Sequence, residues 1–164
     1  MTFSITKVFK LDMGHRTWTQ DMRKGRGKEF YHPGLPYPVN KCANIHGHSL
    51  CVTITLESET LDEQNFVIDT DLIKVPFGKI IDEMDHAFVM DKNDVLFDEM
   101  KQLLAKENLR LFVVDFSPSF EALAEFFYKE LKKIIHHGNY QDLLSIKEVK
   151  VSGEHTTVEA SYRE

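Results

Sequence analysis

The sequence predicts an α+β domain in which helices pack on one face of an antiparallel β-sheet. Two strand-like segments come first along the chain, helical segments follow, and two further strand-like segments come last. Strands grouped in this way, rather than alternating with helices, are typical of the α+β class. The 164 residues, 42% of them hydrophobic, suffice for one core. We therefore predict a single domain over residues 1–164.

The strands are predicted from alternating polarity and from β-branched residues. Residues 3–14 alternate in part between apolar and polar side chains. Residues 47–58 give the clearest strand pattern because they are rich in Val, Ile and Thr. Two strand-like runs follow near the end of the sequence, one around residues 146–151 and one over residues 157–162.

Two helices are predicted between these strand pairs, with a shorter one between them. The first is expected over about residues 71–84, where Pro76 leaves its start open. The shorter helix is expected over residues 96–108.

The second main helix has the stronger sequence pattern. Ser117 is its expected N-cap, Pro118 suits its first turn, and Gly138 ends it. The apolar residues that recur at helical spacing are Phe120, Leu123, Ala124, Phe127 and Leu131.

A long loop is predicted at about residues 17–41, where Pro33, Pro36 and Pro38 interrupt regular structure. The segment from residue 16 to residue 41 carries six Lys and Arg side chains against two acidic ones. Such a basic loop can hold a phosphorylated substrate, or it can be an ordinary solvated loop, and the sequence leaves both readings open.

The bulk properties exclude several classes of function. The net charge of −6 argues against general binding to nucleic acid or to membrane surfaces. No apolar run approaches the roughly 20 residues of a membrane-spanning helix, and the first residues lack the apolar core of a signal peptide. We therefore expect a cytoplasmic protein without nucleic-acid or membrane partners.

The sharpest chemical signal is His46-Gly47-His48, at the start of a predicted strand. Residues two apart in a strand point to the same side, so these two imidazoles lie together. His15, at the end of the first strand, is the candidate third ligand, and three ligands with one open position is the pattern of catalytic zinc. Cys42 is either a fourth ligand of a closed structural site or a free thiol that acts as a base. The alternative is a chance His pair on a solvated loop.

Two acidic motifs are further candidates. Asp85-His86 follows the first helix, and the carboxylate can orient the imidazole and raise its basicity. The alternative is an ordinary helix end, where the imidazole meets the helix dipole. Glu154, between the last two strands, can accept two hydrogen bonds from an amidine-like edge such as that of a pterin, or it can be an exposed turn residue.

Together these motifs resemble the 6-pyruvoyltetrahydropterin synthase / 6-carboxytetrahydropterin synthase family, over nearly the whole chain. The matching motifs are, in chain order, Gly14-His15-Arg16, Lys41-Cys42, His46-Gly47-His48, Val67-Ile68-Asp69, Met84-Asp85-His86, Pro118-Ser119-Phe120-Glu121, Glu154 and Ala160-Ser161-Tyr162. The resemblance implies the tunnelling fold, a four-stranded antiparallel sheet with two helices packed on one face. It also implies that subunits join their sheets into barrels, as a hexamer built from two trimers with active sites between subunits.

The resemblance further implies a set of roles. Zn²⁺ would be bound by His15, His46 and His48. Cys42 would be the general base, with Asp85 and His86 as its proton relay. Glu154 would anchor the pterin ring, helped by Ser119 and Glu121. The substrate would be 7,8-dihydroneopterin triphosphate.

The position of the thiol favours one branch of the family. Cys42 stands four residues before His46, as in the bacterial carboxy-forming group, which releases acetaldehyde and triphosphate on the route to queuosine. The alternatives are the pyruvoyl-forming enzyme, a non-catalytic pterin- or metal-binding relative, and a structural zinc module. Three departures from the family pattern are the long loop, Ser119, where Thr is usual, and Thr70, where Phe is usual.

Overall fold

The computed structural model describes residues 1–21, 23–30 and 40–164. In chain order its strands and helices are β1 (Phe3–His15), β2 (His46–Ser58), α1 (Asp71–Met84), β3 (Ala87–Asp91), α2 (Phe97–Lys106), β4 (Leu111–Val114), α3 (Phe120–His137), β5 (Ser145–Gly153) and β6 (Glu159–Tyr162). Two short 3₁₀ helices, Gly25–Phe30 and Lys41–Ala43, lie between β1 and β2. The α+β class predicted from the sequence is confirmed.

The sheet differs from the expected four antiparallel strands. Its order is β4-β3-β1-β2-β5-β6, so the described residues form six strands. The four expected strands pair antiparallel as predicted, whereas β3 runs parallel to β1 and β4 runs parallel to β3. The extra strands are short apolar runs directly after helices, and short apolar runs cannot be assigned to strand or helix from periodicity alone.

The pairing of β1 with β2 fixes the geometry of the whole sheet. It runs without a register shift from Phe3 opposite Ser58 to His15 opposite His46. Along β1, Phe9, Leu11 and Met13 are buried, while the residues between them are not. One face of the sheet therefore meets the core, and the other face carries polar side chains.

The core lies between this apolar face and the helices α1 and α3. Phe77 of α1 and Phe127 of α3 are fully buried, and their ring centroids are 5.8 Å apart. Because α1 and α3 contribute to one cluster with β1, β2 and β5, both lie on the same face, as predicted. Leu104 alone is buried in α2, so that helix adds little to the core.

The start of α3 corrects the predicted cap. Ser119, not Ser117, is the N-cap, and its hydroxyl accepts a hydrogen bond from the Ala122 amide at 3.3 Å. The backbone stays extended through Ser119, with ψ at 165°. Pro118 thus precedes the helix instead of starting it, and its carbonyl accepts a hydrogen bond from His15, 2.7 Å away.

The other predicted helix positions agree with the structure. α1 spans the predicted residues with Pro76 inside it, and α2 lies within the predicted segment. The prolines at 33, 36 and 38, which mark the predicted loop, lie outside the described residues. Within the described part of the chain, no helix has the length and apolarity that crossing a bilayer requires.

Replacing Phe127 with Ala tests the assignment of the core. The residue is fully buried, so we expect the free energy of unfolding to fall by about 3–5 kcal/mol. Denaturant unfolding at a fixed protein concentration measures this. The matched control is Phe66→Ala, because the Phe66 side chain is half-exposed and its loss should change little. Equal effects of the two substitutions would contradict the core described above.

Candidate metal centre and acid–base pair

Three imidazoles meet where β1 ends and β2 begins. His15 and His46 are register partners, and their ring centroids are 4.4 Å apart. The His48 ring lies 4.9 Å from His46 and 5.2 Å from His15. One ring nitrogen from each residue lies within 4.8 Å of the other two, so these three side chains can hold a metal ion. The strand pairing predicted from the sequence thus brings the three histidines together.

Backbone carbonyls orient two of these rings. Nδ1 of His15 lies 2.7 Å from the Pro118 carbonyl, and Nδ1 of His46 lies 2.8 Å from the Asn44 carbonyl. A carbonyl only accepts, so each Nδ1 carries the proton, and each Nε2 presents its lone pair. Nε2 of His15 is buried and has no hydrogen-bond partner. Such an arrangement is typical of metal-binding histidines, and a bound cation would give the buried Nε2 of His15 a partner.

Burial favours the neutral form of two of these imidazoles, His15 and His48. Loss of water around His15 lowers its pKa to about 4, although the hydrogen bond to the Pro118 carbonyl acts in the opposite direction. Burial also lowers the pKa of His48, and the neighbouring His46 adds to this effect. Neutral imidazole is the form that binds metals, so the protein presents ready ligands near neutral pH.

Cys42 lies at the same end of the sheet but outside this cluster. It is exposed, in the 3₁₀ helix just before β2, and its carbonyl accepts a hydrogen bond from the Thr17 amide at 2.7 Å. Two groups of described residues have the spacing for a metal, and Cys42 belongs to neither. Ser119 is also near, since it follows the Pro118 that holds His15, and Glu121 is exposed in the first turn of α3.

Asp85 and His86 form a hydrogen-bonded pair where α1 ends. His86 Nδ1 donates to Asp85 Oδ2 at 2.8 Å. The Asp12 amide donates to Asp85 Oδ1 at 2.7 Å, and the His86 amide donates to the Asp12 carbonyl at 2.6 Å. His86 has a left-handed φ of 56°, which a side chain of this size rarely adopts outside functional or tightly held sites. The hydrogen bond from the Asp12 amide is the main reason why the pKa of Asp85 is lowered.

Glu154 lies near this pair, on the polar face of the sheet. Its Oε1 accepts from Lys10 Nζ at 2.5 Å, and this hydrogen bond lowers the pKa of Glu154. A cavity of about 320 Å³ is lined by Lys10, Leu11, Asp12, Ser49, Leu50, Asp85, His86 and Glu154. An ionised carboxylate and an imidazole therefore face the same cavity.

The predicted site residues thus fall into two groups on opposite faces of one sheet. His48 pairs in register with the buried Met13, so the imidazoles lie at the edge of the face that the helices cover. Asp12 pairs with Ser49 one step along, so the Asp85–His86 pair and its cavity lie on the other face. A cavity of about 850 Å³ is lined by residues of both groups, His48 of the metal centre and His86 of the acid–base pair.

Comparison with known proteins identifies the family of the chain. The family model described as "6-pyruvoyl tetrahydropterin synthase" matches residues 4–164. The chain belongs to this family. It is 40% identical over 166 residues to a 6-carboxy-5,6,7,8-tetrahydropterin synthase of Aquifex aeolicus. The alignment spans all of this chain and 99% of that protein. A protein of the same name from Haemophilus influenzae is 28% identical over 91% of each chain.

Solved structures of the same fold extend the likeness. A crystal structure of an uncharacterized protein from Wolinella succinogenes has a TM-score of 0.77 at 22% identity, over 99% of this chain and 98% of that one. The 6-pyruvoyl tetrahydropterin synthase of Caenorhabditis elegans has a TM-score of 0.63 at 17% identity, over 100% and 96% of the two chains. The family resemblance predicted from the sequence is confirmed, and at these identities the structures speak for the fold alone.

Several contacts at the site were not predicted from the sequence. The Asp12 carboxylate lies within 4.8 Å of the ligand atoms of Asp85 and His86, and it accepts a hydrogen bond from Ser49 at 2.5 Å. Alternation along β1 places Asp12 on the polar face, which is a usable signal. The roles of the Pro118 and Asn44 carbonyls had no such signal, because main-chain acceptors leave no trace in side-chain patterns.

The buried neutral His15 predicts a pH dependence for the stability of the metal-free protein. Its pKa is lower in the folded chain, so below about pH 6.5 the unfolded chain binds more protons, and the free energy of unfolding falls as the pH falls. Near pH 4, protonation of His15 in the unfolded chain lowers the free energy of unfolding by about 3 kcal/mol. Chelator-treated wild type and His15→Gln should therefore differ in the steepness of this fall, as measured by denaturant unfolding at several pH values.

The control is His155→Gln, since His155 is exposed and the fall should match that of the wild type. Parallel curves for wild type and His15→Gln would contradict a buried neutral His15.

Proposed function

We propose that this chain is a zinc-dependent lyase. It converts 7,8-dihydroneopterin triphosphate to 6-carboxy-5,6,7,8-tetrahydropterin and releases acetaldehyde and triphosphate. The observation that carries the proposal is the full-length likeness to the Aquifex aeolicus 6-carboxy-5,6,7,8-tetrahydropterin synthase, joined to three converging imidazoles. The queuosine pathway and the cytoplasmic location, both expected from the sequence, stay predictions.

His15, His46 and His48 would hold the zinc ion through Nε2 in the first two and a ring nitrogen in the third. Zinc bound there supplies Lewis acidity toward the hydroxyls of the substrate side chain. Three histidines leave one position for substrate, and the exposed Cys42 outside the cluster supports an open, catalytic site rather than a closed structural one.

Cys42 is the proposed base that removes a side-chain proton, and Asp85 with His86 moves protons to and from it. The hydrogen bond between Asp85 and His86 holds the imidazole with its Nε2 turned away from the carboxylate. Asp85, whose pKa is lowered, stays ionised and can accept the hydrogen bond from the imidazole throughout the proton transfer.

Glu154 is the proposed anchor of the pterin ring, with Ser119 and Glu121 as further contacts. The ionised Glu154 carboxylate can accept from N3–H and the 2-amino group together, and its neighbour Lys10 keeps it charged. Ser119 already caps α3 through its hydroxyl. That hydroxyl can still donate to a bound ring, since the cap uses only its acceptor capacity.

The family resemblance implies an oligomer with shared sites. Cys42 and the Asp85–His86 pair that act together would then come from two subunits. The sheet ends in β4 on one side and β6 on the other, and within the described residues neither has a second strand partner. Such edges are suited to pairing with a second copy. We expect a hexamer built from two trimers.

Incubation with 7,8-dihydroneopterin triphosphate tests the reaction directly. Identification of 6-carboxytetrahydropterin with acetaldehyde is the expected outcome, and chromatography with mass spectrometry measures both. A pyruvoyl product without acetaldehyde would move the chain to the other branch. Absence of any product, with the pterin bound and recovered unchanged, would support the non-catalytic alternative.

Cys42→Ala should reduce kcat by about 10³-fold or more, because the proposed base is removed. Zinc content should stay at one ion per chain, as measured by elemental analysis, because the three imidazoles are intact. Cys51→Ser is the matched control, since its hydroxyl can still donate to Glu154, which the half-buried Cys51 thiol approaches at 3.9 Å. Turnover that survives in Cys42→Ala would refute the assigned base, and loss of zinc would indicate a closed structural site.

Mixing two inactive variants tests the shared site. Cys42→Ala and His86→Asn should each be inactive alone, and Asn is chosen because it tolerates the left-handed backbone at position 86. After subunit exchange at equal amounts, about one site in four should contain both intact groups and recover activity. Each variant exchanged with itself is the control. Mixed oligomers that form but stay inactive would contradict a site shared between subunits.

A further inference from the structure

A short segment after His15, residues 17–20, forms hydrogen bonds with both the backbone amide and the carbonyl of Cys42. The Thr17 amide donates to the Cys42 carbonyl at 2.7 Å, and the Cys42 amide donates to the side-chain oxygen of Gln20 at 2.9 Å. Gln20 and Cys42 are 22 residues apart, and together these bonds close the base of the long loop. Both main-chain groups of the proposed base are therefore held by residues 17–20.

Gln20 supplies a cap that the 3₁₀ helix Lys41–Ala43 lacks. Amides in the first turn of such a helix have no acceptor within it and need one from elsewhere. The N-cap residue Asn40 has a left-handed φ of 62°, and its side chain makes no capping hydrogen bond. The Gln20 oxygen accepts from the Cys42 amide instead, so the orientation of this turn depends on a distant side chain.

The segment of residues 16–20 is itself fixed by two buried carboxylates, Asp91 at the end of β3 and Asp94 in the turn that follows. Trp18 Nε1 donates to Asp91 Oδ2 at 2.8 Å, and Arg16 Nε lies 3.2 Å from Asp94 Oδ2. Both carboxylates are buried, at 3% and 5% exposure. The Gln20 amide donates to the Thr17 carbonyl at 3.0 Å, which makes the segment a turn.

Each of these two carboxylates is also held at its second oxygen. Asp91 Oδ1 accepts from the backbone and side-chain nitrogens of Asn93, each at 2.9 Å. Asp94 Oδ1 accepts from the Leu96 amide at 3.0 Å. A continuous chain of contacts therefore runs from the end of β3 through residues 16–20 to Cys42.

We infer that Gln20 is a positioning residue, which sets the place of the Cys42 thiol relative to the metal-binding imidazoles. The inference rests on the proposed role of Cys42 as the base. Trp18 supports Gln20 by fixing the segment to Asp91. Gln20 acts through the backbone of Cys42, so its loss should slow the proton transfer and leave binding of substrate and metal intact.

The test compares Gln20→Ala with Gln20→Glu in the full-length oligomer loaded with zinc. Ala removes the acceptor, whereas the Glu carboxylate can still accept from the Cys42 amide. For Gln20→Ala we expect kcat to fall by about tenfold or more, because small displacements of a reacting group are costly, while KM and zinc affinity stay unchanged. Gln20→Glu should recover most of the lost kcat. Gln102→Ala, at an exposed site on α2, is the matched control.

Hydrogen exchange at the Cys42 amide gives a readout without substrate. It should speed up in Gln20→Ala and in Trp18→Phe, which loses the donor to Asp91, and stay slow in Gln20→Glu. An unchanged kcat in Gln20→Ala, despite faster exchange, would overturn the inference. So would a fall in kcat that Glu does not repair, or one that comes with loss of zinc.

Failure of this inference differs from failure of the proposed function. An active Cys42→Ala variant would refute the base itself, whatever Gln20 does. An inactive Cys42→Ala with a fully active Gln20→Ala would remove only the positioning role.

Discussion

The antiparallel register of β1 and β2 is the constraint on which the metal centre depends. His15 lies opposite His46, and His48 follows two residues on, so the three rings share one face. A slip of one residue would turn the His15 ring away from the other two. The apolar residues of β1 oppose such a slip, since it would also move Phe9, Leu11 and Met13 from the core into water. The same hydrophobic alternation that builds the core thus assembles the ligands.

A second constraint comes from the carbonyl of Pro118. It fixes the tautomer of His15, and the chain stays extended before α3, so that the helix starts later than its sequence suggests. Pro118 thereby connects the packing of α3 to the orientation of a ligand. Pro118, which the sequence suggests as a helix start, instead holds His15, and Ser119 is the N-cap.

The sequence predicted what depends on side-chain patterns and missed what depends on main-chain contacts. The positions of β1, β2, α1 and α3 follow from alternation and helical spacing, and His15 was placed with His46 by strand pairing alone. β3 and β4 were missed because their short apolar runs have no period of their own. The hold of Gln20 on Cys42 spans a loop, and its Oε1 meets a backbone amide, so no pattern of residue types reveals it.

The basic segment after His15 has a different character in the structure from the one its charge suggests. Arg16 pairs with the buried Asp94, and Arg23 and Lys24 both pair with Asp21. At least three of the six cations are thus matched by described residues, which weakens a purely electrostatic attraction of phosphate. The buried contacts at the start of the segment favour a role in positioning Cys42. A loop that only attracted phosphate would not need to bury the carboxylate that holds Arg16.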